Sequence, residues 1–139
     1  MIRFEQEYFK KFNFSPKDID RYLENAFHDL EIARKDPFSE VRFSYSFQAL
    51  IKAGIALIAK TGRVKVLSIP GHHIKILTKT SEILGDPDIL TIGNAMRMKR
   101  NTDLYGGGQF IAKKEAADYF EFVENTLDKV TKTIKRETK

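Results

Sequence analysis

Apolar residues recur at three- and four-residue spacing along most of this chain, the pattern of amphipathic helices. After Ser15-Pro16, the positions Ile19, Tyr22, Leu23, Ala26, Leu30 and Ala33 keep that rhythm. Serine suits the N-cap, proline the first helical position and Asp18 the positive end of the helix dipole. A helix is therefore predicted from there to about Asp36-Pro37. Ser39 with Glu40 opens a second helix, which Thr61-Gly62 terminates. Its apolar residues include Phe43, Tyr45, Phe47, Ala49, Leu50, Ala53, Leu57 and Ile58. They cover more than one face, which predicts the most buried, central helix.

Three further helices follow. One starts at Gly71, carries Ile74, Leu77 and Leu84 and stops at Gly85. Asp86-Pro87-Asp88 launches the next, through Ile89, Ile92, Ala95 and Met96, until Gly106-Gly107-Gly108 ends it. The last runs from about Lys113 to Arg136 on the stripe Ala116, Tyr119, Phe120, Val123, Leu127, Val130, Ile134. Before all of these, Phe4, Tyr8 and Phe12 are spaced by four, which predicts a short N-terminal helical extension over residues 1–14. Such a helix packs on the body, or else meets a partner or a membrane surface. Val64, Val66 and Leu67 could form a brief extended piece, but a lone strand has no sheet to join. Helix after helix with short connections predicts an all-α, up-and-down bundle of four or five helices.

Length and composition narrow the possibilities. The chain has 139 residues, of which 42% are hydrophobic, enough for one domain with one core. It has no cysteine, which excludes disulfides, thiolate metal sites and cysteine nucleophiles. No apolar run approaches ~20 residues, so no membrane span is expected. The N-terminal residues lack the pattern of a secretory signal, and a cytoplasmic location is expected. The net charge of +5 favours anionic partners only weakly.

The local clustering of charge says more. Arg97, Lys99 and Arg100 crowd one turn, Asn101 follows, and Tyr105 lies before the three glycines. Like charges at helical spacing repel, and packing alone rarely asks for them. Arg97 and Arg100 share a face, and guanidinium groups can grip a phosphate bidentately. A solvated basic face with Tyr105 as a packing anchor explains the same residues. His72 and His73 are adjacent, so they point ~100° apart on a helix and chelate one metal poorly. They read either as residues of a helix start or as accessories that reach the arginine cluster. His28 reads as a boundary residue. Gly106-Gly107-Gly108 lacks the context of a nucleotide-binding loop and reads as a turn. Lys129, Lys132 and Arg136 share a C-terminal helical face and suit either phosphates or the helix dipole. No metal site and no cofactor are expected.

The order of elements and these motifs resemble a HEPN domain over about residues 16 to 135. The central helix, the Gly71-His72-His73 start of the next, the Arg97-Met98-Lys99-Arg100-Asn101 run with Tyr105, and the closing helix all contribute. In the family's catalytic members the motif is an arginine, a polar residue and, further on, a histidine. Arg100 and Asn101 fill the first two places, while Tyr105 stands where the histidine would fall. The resemblance implies an all-α bundle, a homodimer with its site between protomers, and an RNA or nucleotide ligand. It also implies a toxin-like role paired with a nucleotidyltransferase antitoxin. Arg100 and Tyr105 would be the catalytic positions of a metal-independent endoribonuclease. Arg97, Lys99, Arg100 and Asn101 would hold phosphate. A tyrosine with pKa ~10 is a poor base near neutrality, so binding is expected ahead of cleavage. The alternative is a protein-interaction module that keeps the bundle without the chemistry.

Overall fold

The structure, a computed structural model, describes the backbone of residues 2–105 and 111–137 and the side chains of 2–101 and 111–136. Five helices and two short strands make up the described chain. Helix α1 spans Pro16–Lys35. Its capping box is complete: the Asp18 N–H donates to Ser15 Oγ (3.1 Å) and the Ser15 N–H to Asp18 Oδ2 (2.9 Å). Asp36 leaves the helix in an extended conformation, as the following Pro37 requires.

Helix α2 spans Ser39–Gly62. Phe38, rather than Ser39, is its N-cap and provides no side-chain cap. The Phe38 N–H instead donates to Asp36 Oδ1 at 2.8 Å. The buried residues of α2, among them Phe43, Phe47, Leu50, Ala53, Leu57 and Ile58, point in several directions. The other four helices all touch α2, so it is the axis of the bundle. Arg63 ends it in the left-handed region (φ 52°), a strained place for a residue with a Cβ.

The N-terminal segment departs from the sequence-based expectation. Residues before α1 do not form a helix. A turn at Glu5, whose carbonyl accepts from Tyr8 and Phe9, leads into strand β1, Phe9–Lys11. Strand β1 pairs antiparallel with β2, Val64–Val66, in the register Phe9↔Val66 and Lys11↔Val64. The extended piece after α2 therefore does find a partner. The physical reason lies in the backbone: β2 carries donors and acceptors that need partners, and the N-terminal segment supplies them. Phe4 and Tyr8 are half-buried against the core while Phe12 is exposed, so the four-residue aromatic spacing is not one face.

Helix α3 spans His72–Leu84, between Gly71 (φ 86°) and Gly85 (φ 64°). Both glycines take a backbone conformation that other residues rarely adopt. Helix α4 spans Pro87–Tyr105 and α5 spans Lys113–Glu137. Asp86 caps α4, with Asp88 N–H donating to its Oδ1 at 3.1 Å. The core draws on every helix and on Phe9 and Val64 of the strands. α2 and α3 touch at Gly54, where a Cβ would lie 2.6 Å from Ile76 and Thr80 side-chain atoms. The result is a mostly helical bundle with one small sheet, not a purely helical one. No helix among the described residues is long and apolar enough to cross a membrane.

Candidate anion site

Three helices bring the chemistry of this chain to one cleft. α2 contributes Phe47, Gln48, Ile51, Lys52 and Ile55, α3 contributes His72 and His73, and α4 contributes Arg100. The cleft has a volume of about 250 Å³. The α2 residues fall at three- and four-residue intervals, so they form one stripe along that helix. The loop from β2 and the turn at Gly71 set the first residues of α3 against this stripe.

The side chains interlock through ring contacts. The Arg100 guanidinium carbon lies 5.7 Å from the centre of the Phe47 ring. The His73 ring meets the same Phe47 edge-on, at 5.7 Å and 71°. His72 and His73 are 4.2 Å apart, centre to centre. His72 Nδ1 donates to the Ile69 carbonyl at 2.8 Å, because a carbonyl can only accept. In the neutral ring that bond places the proton on Nδ1 and leaves Nε2 as the acceptor. Phe47 is fully buried, so it acts as a rigid floor that fixes Arg100 and His73 relative to each other.

Charge is unevenly committed around the cleft. His73 is pushed down to about 4, chiefly by burial, then by His72, Arg100 and Arg97. It is therefore neutral at pH 7. Arg97 lies on the Arg100 side of α4, and its Nε donates to the neutral Asn94 side-chain oxygen at 2.9 Å. Lys52 forms an ion pair with the buried Asp29 of α1 at 2.7 Å. Lys99 pairs with Glu115 of α5 at 2.9 Å. Two residues from Arg97, Lys99 projects roughly 200° around α4, which explains why it meets α5 and not the cleft.

The remaining sequence candidates fall elsewhere. Asn101 is exposed. Tyr105 is the last residue of α4, and its side chain lies outside the described residues, as do Gly106, Gly107 and Gly108. His28 lines a separate groove with Glu31, Ile32 and Lys35. On the C-terminal helix, Lys129 pairs with Asp86 (2.7 Å) and Lys132 with Asp128 (3.0 Å). Arg136 donates weakly to Thr133 at 3.4 Å. That face is structural in its contacts. Among the described residues no group of three or more His, Asp or Glu could hold a metal ion.

Sequence reasoning missed the α2 wall of the cleft. Phe47 read as core, and Gln48 and Lys52 drew no attention. Their signal was present: two polar residues four apart in a helix otherwise apolar on several sides. Comparison with protein-family models, curated proteins and solved structures finds no match to this chain.

Proposed function

We propose that this protein is a HEPN-like RNA- or nucleotide-binding domain that grips a phosphate group at Arg100, with Arg97 beside it. The observation that carries the reading is the convergence of Arg100, His72 and His73 on one cleft between α2, α3 and α4, with Arg97 one turn before Arg100 on the same face of α4. Guanidinium groups present forked donors to phosphate, and a partly closed site strengthens the attraction. Arg100 rests on the Phe47 ring, and no carboxylate among the described residues pairs with it. The resemblance stated above extends the proposal to a homodimer, and to a toxin-like role beside a nucleotidyltransferase partner.

Binding is favoured over cleavage. A general base works best with a pKa near the operating pH, and His73 at about 4 is far below it. A phenol in water ionises near ~10, so a tyrosine at the motif position of the catalytic histidine suits this role poorly from the other side.

The test is a binding titration with a short single-stranded RNA carrying a 5′-phosphate, followed by fluorescence anisotropy. Arg100→Ala should weaken binding at least about tenfold, the loss typical of one charge-assisted contact. Arg97→Ala should weaken it less. If both variants fold and bind RNA like the parent, the proposal fails.

A further inference from the structure

We infer that the cleft selects a phosphomonoester, the dianionic phosphate of a nucleoside monophosphate or of a phosphorylated RNA end, over the internal phosphodiesters of a strand. The inference rests on the phosphate-binding reading above and deepens it by naming the ligand class.

The argument is a charge count at a fixed place. Of the cations near the cleft, Lys52 is neutralised by Asp29 and Lys99 by Glu115. Arg97 bonds only a neutral amide among the described residues, and Arg100 rests on an apolar ring. No carboxylate is among the described residues that line the cleft. Arg97 and Arg100, one turn apart on the same face of α4, therefore bring to this side of the cleft two positive charges that no carboxylate among the described residues pairs. The His73 imidazole, 5.7 Å from the same Phe47 ring that Arg100 rests on, is lowered chiefly by burial and in smaller part by both guanidinium groups. His73 itself adds no charge at pH 7 and offers a neutral imidazole for a hydrogen bond.

An internal phosphodiester carries one negative charge, whereas a phosphomonoester carries about −1.5 to −2 near pH 7. Two positive charges match the second and leave the first over-compensated. Size points the same way. The cleft volume of about 250 Å³ falls below the roughly 300–1,000 Å³ of pockets that enclose drug-sized ligands. It has room for a phosphate and part of one nucleotide. The Ile51 and Ile55 side of the cleft is apolar and suits a sugar or base edge beside the charged end.

The experiment compares one six-nucleotide RNA in three forms at pH 7.5: 5′-phosphate, 3′-phosphate and hydroxyl at both ends. AMP and adenosine are titrated alongside. At least one phosphorylated form should bind at least tenfold tighter than the unphosphorylated strand, and AMP should bind where adenosine does not. Arg97→Gln and Arg100→Gln should each bring the phosphorylated strand to within about twofold of the hydroxyl form. AMP binding as tightly as the oligonucleotide assigns the ligand as a free nucleotide. Weaker AMP binding assigns it as a strand end. Equal affinity for all three strands, still lost in Arg100→Gln, overturns the monoester preference but keeps the phosphate site. No binding of any strand or nucleotide overturns the reading on which it rests. The comparison of strands on the parent protein stands even if a variant fails to fold.

Discussion

Among the described titratable groups, His73 is shifted furthest from its ordinary value. Its pKa falls from 6.5 in an unfolded chain to about 4 in the fold. Between those values the unfolded state holds more protons, so stability rises with pH across that window. The contribution is complete above about pH 6.5 and is lost as the solution is acidified toward 4. With solvent screening at a half-open cleft, the loss amounts to about 1–2 kcal/mol. The hydrogen-bonded carboxyls of Glu5, Asp18 and Asp86 are also lowered, but they lose their contributions below their ordinary values of 4.5, 3.8 and 3.8. Their effect therefore falls at more acid pH than most of the His73 window. Urea midpoints measured at pH 7.5 and 5.0 should differ by that amount in the parent and much less in His73→Gln. An unchanged difference in the variant would show that His73 is not the titrating group. The sequence made His72 and His73 visible as a pair and left open whether they meet the arginines. Only the fold decides that, because the meeting depends on how far α3 and α4 slide along α2.

At the scale of elements, the N-terminal strap is the least obvious feature of the chain and among its most strongly anchored. Glu5 reaches the nearly buried Lys79 of α3 at 2.9 Å, with Lys75 at 3.9 Å. Phe4 fills the space beside Gly62, where a Cβ would lie 2.7 Å from its ring. Tyr8 accepts from the Leu67 N–H at 2.7 Å, which ties the strap to the loop that leads to the histidines. Removing Glu5 leaves the nearly buried Lys79 with only a longer pair, to Glu82 at 3.9 Å. Glu5→Gln should therefore cost about 2–3 kcal/mol, read from the thermal or urea midpoint. The double variant Glu5→Gln, Lys79→Met should recover at least half of that loss, since the buried charge is gone. A single variant as stable as the parent would mean the pair does not hold the strap. The helices were legible because each is specified locally, by Ser15 with Asp18, by Asp86, and by glycines at α3. The strap was not. Its strand pairs with residues about fifty positions away, and the four-residue spacing of Phe4, Tyr8 and Phe12 imitated a helix.

For the whole molecule, the net charge of +5 does not say where a ligand would meet it; the partners of individual cations say more. Lys35, Lys52, Lys75, Lys79, Lys99, Lys114, Lys129 and Lys132 each lie within ion-pair distance of a carboxylate. Several of these pairs are exposed and worth little to stability, yet they still cancel charge locally. Around the cleft, where Lys52 and Lys99 are paired, the proposed ligand then meets charge focused at Arg97 and Arg100. This has a consequence in solution. Single-strand binding loses affinity with salt at a slope of about −0.7 per phosphate neutralised. A footprint confined to the cleft should give a slope of log K against log salt between about −1 and −2. Lys129→Gln and Lys132→Gln on α5 should leave both affinity and slope unchanged. A slope steeper than about −4, reduced by those α5 variants, would instead show that the strand runs over the C-terminal helix. The distinction is functional. A shallow slope belongs to a protein that recognises one phosphate by its charge and position, and a steep one to a protein that coats nucleic acid.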